Sequence, residues 1–270
     1  MTDPLTAALL APLPEVAPER WQEALDEARR VLAALAARAR NGPTRITEHA
    51  VRRAFDPAPL AGGEVPFAWA ARTARRPIGL AAVRALVAGE ARTPADAVRA
   101  RVADSSRLVR TGAVVASTPS SLDRWLTRLS PAGRAAVGAE AVTWATRLWS
   151  ALDWDVLDGP LVIGRDHWWD SPHSSLHPRR CRAEVRAAAA HLVVLSGPRR
   201  DSARSELALV MLVESLRARN GAPPGRVVGW WPESGRLVCV EPELPVLSQG
   251  TAAVARVVGS GAPAAARRAA

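Results

Sequence analysis

The sequence contains no lysine and no tyrosine, and all 36 basic residues of the 270-residue chain are arginines. Without lysine the chain has no Walker A phosphate-binding loop, no Schiff-base chemistry and no lysine general base. Without tyrosine it lacks the nucleophile that tyrosine recombinases and topoisomerases use. Several classes of enzyme are therefore excluded before any motif is considered.

Cysteine and long apolar runs are also scarce. The two cysteines, Cys181 and Cys239, are too few for a disulfide framework, so we expect a reduced protein. No apolar run is long enough to span a bilayer, and the first residues lack the basic region of a signal peptide. These absences predict a cytoplasmic protein without a membrane span.

The charge that is present is strongly basic. Against the 36 arginines stand 26 acidic residues, which gives a formal net charge of +10 at pH 7. A basic balance favours an anionic partner such as nucleic acid. The alternative is a composition in which arginine does all the work of lysine on an ordinary surface, and the net charge alone does not separate the two.

Helical patterning dominates residues 18–152. Apolar residues recur at helical spacing, and serine, threonine and proline stand where helices commonly begin. The predicted helices begin near Pro18, Thr47, Ile78, Thr93, Ser120 and Ser130. We therefore expect a helical N-terminal module over residues 1–115 and further helices before the first strand.

Short strand-like runs follow, separated by turn residues. They cover residues 161–164, 181–187, 191–196, 226–231 and 236–240, with an apolar helix from Asp201 to Asn220 and a last helix from Ser248 to Val258. Because a strand, a helix and the next strand normally form a parallel crossover, we predict an α/β fold in which a mixed sheet is flanked by helices. This domain would span residues 116–258, and residues 259–270 would form a disordered tail.

Histidine is concentrated in one segment. The four histidines there are His167, His173, His177 and His191. Together with Cys181 and Glu184 they include the ligand types that zinc favours. Pro172 and Pro178 oppose the helix that would align them. A polar loop between strands is the simpler interpretation, and a metal site is the alternative.

Arginine clusters are the second signal. One cluster is Arg179, Arg180, Arg182 and Arg186, and another is Arg199, Arg200 and Arg204. The guanidinium fork binds two phosphate oxygens at once. The second cluster also follows a strand and precedes a helix, where ligands bind in open α/β sheets. We predict phosphate contacts from Arg179, Arg182, Arg199 and Arg200.

Tryptophan occurs in two adjacent pairs, residues 168–169 and 230–231. In a strand one member of each pair faces the core and the other faces outward. An outward-facing indole can stack on an unpaired base. Trp168 and Trp230 are therefore candidate base-stacking residues, with core packing as the alternative.

Four short strings resemble the RecB-like branch of the PD-(D/E)XK nuclease superfamily. They are residues 117–126, which open a helix, the strand residues 181–185 and 192–197, and the helix that starts near Glu206. The order helix, three strands, helix, strand is also that of the superfamily's core. The resemblance covers about residues 116–240 and implies an αβββαβ nuclease-like core.

The same resemblance implies a defective metal site. Glu184 takes the place of the family's first metal-binding acid, whereas the second acid falls on Val193 and the lysine on Leu195. Glu206 stands at the family's glutamine, and the upstream metal-binding histidine falls near Val142. One acid does not hold a catalytic magnesium in the usual way. The resemblance therefore implies a nuclease-like protein that has lost catalysis.

These observations lead us to expect a non-catalytic protein, without a cofactor, that binds DNA through arginine–phosphate contacts. The same features also suit a structural subunit beside a helicase or nuclease partner. Two alternatives stay open. One is an active Mg²⁺- or Mn²⁺-dependent nuclease that combines Glu184 with acids from residues 158–170. The other is a protein-interaction module that contacts no nucleic acid.

Overall fold

The structure is a computed structural model, and it describes residues 3–39, 44–55, 68–111, 121–157, 161–164, 176–178, 183–187, 190–218 and 225–260. Within these residues it contains nine α-helices and a five-stranded mixed sheet. The predicted α/β class with a mixed sheet is confirmed. The predicted disordered tail lies almost wholly outside the described residues.

The helices are α1 (Pro4–Leu10), α2 (Pro18–Arg38), α3 (Glu48–Phe55), α4 (Ala71–Val87), α5 (Pro94–Thr111), α6 (Ser121–Arg128), α7 (Pro131–Ser150), α8 (Ala203–Arg217) and α9 (Leu244–Gly259). The strands are β1 (Thr44–Ile46), β2 (Val162–Ile163), β3 (Leu176–Pro178), β4 (Val185–Arg186), β5 (Ala190–Val194), β6 (Arg226–Trp231) and β7 (Arg236–Val240). A short 3₁₀ turn covers Trp154–Val156.

Capping residues begin two helices as predicted. The Thr93 hydroxyl accepts a hydrogen bond from the backbone N–H of Asp96 at 3.1 Å. The Ser130 hydroxyl accepts one from Gly133 at 3.1 Å. Each bond satisfies one of the backbone donors that the first turn of a helix leaves without an intrahelical partner.

The predicted start of the last helix is wrong. Helix α9 begins at Leu244, so Ser248 lies inside it rather than at its cap. Pro245 occupies the first turn, where a missing N–H costs nothing. The buried residues Val246 and Leu247 already belong to the face that packs on the core. Because burial of that face stabilises the helix, α9 begins before Ser248, the residue that the local sequence indicates as its cap.

The packing divides the chain into two compact units. One contains α4 to α7, and the other contains α1 to α3 together with the sheet, α8 and α9. The division therefore differs from the boundary predicted between residues 115 and 116. Its physical reason is that α2 and α3 pack on α9, whereas α6 and α7 pack with α5 and α4.

The helical unit is built on a close approach of α4 to α7. Gly79 faces the ring of Trp144, and a Cβ atom at residue 79 would overlap that ring. A buried polar network joins α5 to α6, because Asp123 accepts hydrogen bonds from Arg101 and from the Ser105 hydroxyl, each at 2.8 Å. Both the buried acid and the hydroxyl are thereby satisfied.

The sheet has the strand order β2–β4–β5–β6–β7. Strands β5 and β6 are parallel and are joined through α8, as the predicted crossover requires. The other three neighbouring pairs are antiparallel. A separate parallel pair, β1 with β3, lies outside this sheet, and neither strand was predicted.

Helix α8 covers one face of the sheet, and α9 packs on α8. Eleven of the fifteen residues of α8 are buried, so this helix is enclosed on almost every side. Gly250 of α9 permits the approach, since a Cβ there would lie 2.7 Å from the backbone oxygen of Ala208. All six residues of β6 are buried as well, which places the sheet's centre between two covered faces.

Helix α1 packs against β5 and β6, and Arg226 holds its C-terminal end. The guanidinium group donates to the carbonyl oxygens of Ala8 at 2.8 Å, Ala11 at 3.2 Å and Pro12 at 2.9 Å. It also pairs with Glu241 at 2.6 Å. The cation therefore satisfies carbonyls at the negative end of the helix.

None of the helices in the described part of the chain has the length and apolar character that crossing a bilayer demands.

Gly229 tests the packing of α8 on the sheet. A Cβ at residue 229 would lie 2.7 Å from Leu195 Cδ1 and 3.0 Å from Leu207 Cδ1. We predict that Gly229→Ala lowers the free energy of unfolding by about 1–3 kcal/mol through overpacking. Denaturant titration measures it. Gly259→Ala, where a Cβ meets nothing within 4 Å, is the control and should change stability by less than about 0.5 kcal/mol.

Arg226 tests the attachment of α1. We predict that Arg226→Met costs about 1.5–3 kcal/mol, because three carbonyls lose a charged donor. The amides of residues 5–11 should then exchange with deuterium faster than in the unaltered protein, whereas the sheet amides should change less. Arg236→Met, which removes an exposed arginine from the neighbouring strand, should leave that exchange unchanged. Equal acceleration in both variants would contradict the role of Arg226.

Candidate nucleic-acid interface

Glu184 is fully buried and acts as part of the sheet. It directly precedes β4, and its backbone pairs with Gly164 on one side and with Leu192 on the other. Its carboxylate Oε2 accepts the backbone N–H of Val194 at 2.9 Å. The side chain therefore extends the β4–β5 ladder where the backbone pairing ends, and at least one of its oxygens already serves a structural hydrogen bond.

The two positions that the nuclease resemblance assigns to catalysis carry buried apolar side chains. Val193 is 1% exposed and Leu195 is 3% exposed, and both belong to the core beneath α8. The strand register pairs Val185, the residue after Glu184, with Leu192, the residue before Val193. Neither apolar side chain has an atom that binds Mg²⁺, which prefers oxygen ligands.

A second buried acid reaches the same end of β4. Glu214 of α8 accepts the backbone N–H of Ala183 at 3.3 Å and lies 3.8 Å from Arg186 Nη1. Among the described residues, no group of three histidine, cysteine, aspartate or glutamate side chains is placed to hold a metal ion. The donor set in this part of the chain does not fit the magnesium site that the resemblance implies.

Glu206, at the family's glutamine position, is paired with Arg200. The Arg200 guanidinium donates to both carboxylate oxygens, each at 2.6 Å, and the Ser202 hydroxyl bonds the same carboxylate at 3.1 Å. Arg52 of α3 adds a second cation 3.7 Å away. This is a two-pronged, buried arginine–carboxylate pair, the strongest geometry for such contacts.

Arg200 was predicted to contact phosphate, but the structure directs its side chain into the protein. Its side chain is only 7% exposed, and its Nη1 also donates to the carbonyl oxygens of Ser196 and Pro198. With its donors used inside the protein, Arg200 shapes the loop between β5 and α8 and is not placed to contact phosphate. The loop bends at Gly197, whose φ of +80° suits glycine.

A recess lies beside this loop, between the start of α8 and the β6–β7 hairpin. Its volume is about 590 Å³. The lining residues are Arg199, Arg200, Asp201, Ala203, Arg204, Trp231, Arg236, Leu237 and Val238. Arg199, Arg204 and Arg236 are exposed, and among the described residues none of the three pairs with an acid. The structure thus brings Arg199 together with Arg204 and Arg236, two arginines that were not predicted as site residues.

The structure corrects the prediction that Trp230 stacks on an unpaired base, because its ring is buried. Trp230 is 5% exposed, so its ring is not available for stacking on a base. Trp231 is 4% exposed and forms part of the recess wall. Both indoles belong to the packed interior because both faces of β6 are covered. Trp168, Arg179, Arg182 and the histidine-rich loop, apart from His191 and the backbone of His177, lie outside the described residues.

Cys239 is not an activated nucleophile. It is a free, half-buried thiol on β7. Burial raises the pKa of this thiol above its ordinary value, and the charge of Arg226 only partly opposes that effect. The thiolate, which is the reactive form, is therefore disfavoured at neutral pH.

Comparisons with protein-family models, with curated proteins and with solved structures give no match to this chain. The resemblance to the nuclease superfamily therefore rests on the sequence strings and the order of elements. The positions and contacts of the described side chains are the remaining evidence on function.

The pair of Arg200 and Glu206 gives a test of this geometry. Glu206→Gln should lower the free energy of unfolding by about 3–5 kcal/mol, because it leaves a buried arginine without its counter-charge. The double variant Arg200→Met with Glu206→Leu should lose less stability than the sum of the losses of Arg200→Met and Glu206→Leu measured singly. Additive losses in denaturant titrations would show that the two side chains are not coupled.

Proposed function

We propose that this protein is a non-catalytic, nuclease-like protein that binds DNA through arginine–phosphate contacts. The observation that carries the proposal is the gathering of Arg199, Arg204 and Arg236 at one edge of the sheet. A protein-interaction module would have its arginines scattered, with a neutral or acidic surface at the sheet ends. The concentration of exposed cations favours a polyanion instead.

The order of elements supports the nuclease-like part of the proposal. Along the chain, α7 of the helical unit is followed by β2, β4 and β5, then by α8 and β6 of the sheet unit, with the short β3 as an addition. This is the order that the resemblance implies. The parallel direction of β5 and β6 agrees with a crossover through α8.

The chemistry of the buried residues supports the non-catalytic part. Glu184 Oε2 accepts a backbone hydrogen bond, and Val193 and Leu195 offer no ligand atoms. Glu214 is the other buried acid at this end of β4 in the described chain, and its carboxylate faces Arg186. An active enzyme would have to break these contacts to form a metal site.

Salt-dependent DNA binding tests the proposal. We expect duplex and single-stranded DNA to bind at about 50 mM salt and to weaken strongly at about 200 mM, because binding releases counterions. In the triple variant Arg199→Gln, Arg204→Gln, Arg236→Gln, the slope of log K against log salt should fall by about 0.9 per arginine for duplex DNA. Fluorescence anisotropy measures both.

Arg38→Gln is the matched control, since it removes one exposed arginine from α2 in the same unit. It should change affinity and slope much less than any one of the three recess changes. No binding at low salt, or an unchanged slope in the triple variant, contradicts the proposal. Cleavage in Mn²⁺ that disappears in Glu184→Gln would establish the enzyme instead.

A further inference from the structure

The net charge of the recess indicates the charge of the group that would fit inside it. Arg199, Arg204 and Arg236 each contribute one positive charge, and Asp201 contributes one negative charge. Arg200 adds nothing net, because its charge is balanced by Glu206. The recess therefore carries a net charge of about +2.

A phosphodiester within a DNA strand carries one negative charge, whereas a phosphate monoester carries about −1.5 to −2 at pH 7. The charge of the recess thus matches a monoester better than a single diester. Arginine forks are also suited to the three terminal oxygens of a monoester.

The shape of the recess also favours a phosphate monoester. It is concave, with a volume of about 590 Å³, which lies in the range of small-ligand sites. Its lining also includes the apolar residues Ala203, Trp231, Leu237 and Val238. A phosphate inside a continuous duplex lies on a convex surface, whereas a terminal phosphate with its first nucleoside can enter a recess.

The recess is also held in shape before any ligand binds. Arg200 is bound to Glu206 and to the carbonyls of Ser196 and Pro198, so it holds the loop that carries Arg199. The turn at residues 232–235 and the β6–β7 pairing place Arg236 opposite Trp231. Binding therefore requires little ordering of the backbone.

We infer that the recess formed by Arg199, Arg204 and Arg236 binds a terminal phosphate monoester attached to a nucleoside. Such a group is carried by the phosphorylated end of a DNA strand and by a free nucleotide. The inference rests on the proposed function for the first of these sources, and the experiment separates the two.

The experiment is an anisotropy titration of the full chain with labelled single strands of one sequence. One strand has a 5′-phosphate, one has a 3′-phosphate and one has hydroxyl groups at both ends. We expect a phosphorylated end to bind about tenfold more tightly than the hydroxyl ends, the gain typical of an added charge-assisted hydrogen bond. The preference should shrink at about pH 5.5, because the phosphate dianion then takes up one proton and its charge falls towards −1.

Arg204→Gln and Arg236→Gln should each abolish most of the preference while the hydroxyl-ended strand still binds. Arg38→Gln, the matched control on α2, should keep the preference in full. Circular dichroism on each variant verifies the fold. A preference that survives in both recess variants would overturn the inference, because the phosphate would then bind elsewhere.

A titration with deoxyadenosine monophosphate separates the remaining outcomes. If it binds the recess and no strand binds, the monoester inference holds for a free nucleotide and the DNA-binding proposal fails. If strands bind equally with and without terminal phosphate, the DNA-binding proposal holds and the monoester inference fails. If neither binds, both fail.

Discussion

The enclosure of α8 is the constraint on which the sheet unit depends. This helix connects two parallel strands and is buried against the sheet on one side and α9 on another. Its apolar residues build the core, but it also carries Glu206 and Glu214 into that core. A buried carboxylate is costly unless it is paired. Arg200 and Arg186 supply the pairing cations, and the course of the loop before α8 follows from the need to bring Arg200 to Glu206.

This constraint separates two kinds of arginine that look alike in the sequence. Arg200 is drawn inward as a structural counter-ion, and its neighbour Arg199 is left facing outward with Arg204 and Arg236. Val193 and Leu195, at the two positions where the nuclease resemblance implies an acid and a lysine, are buried in the core. Exposed arginines beside the β6–β7 hairpin and buried apolar residues at the sheet's centre are the two observations on which the proposal of a non-catalytic, DNA-binding protein rests.

Local sequence patterns predicted most elements because caps, turns and periodicity are local. Strands β6 and β7 were predicted with their observed limits, and Thr93 and Ser130 cap helices as expected. Helix α1 was not predicted, since it depends on the distant Arg226 and on burial against the sheet. Arg236 was missed for a similar reason. It is a single arginine in a hairpin, and only the pairing of β6 with β7 brings it near Arg199 and Arg204.

Hydrogen–deuterium exchange with and without a short single strand of DNA is the most direct test of where the protein binds. We predict slower exchange in residues 196–204 and in the β6–β7 hairpin, with little change in α4 to α7. Protection confined to the helical unit, or no protection at a DNA concentration that saturates binding, would contradict a DNA-binding recess at the edge of the sheet.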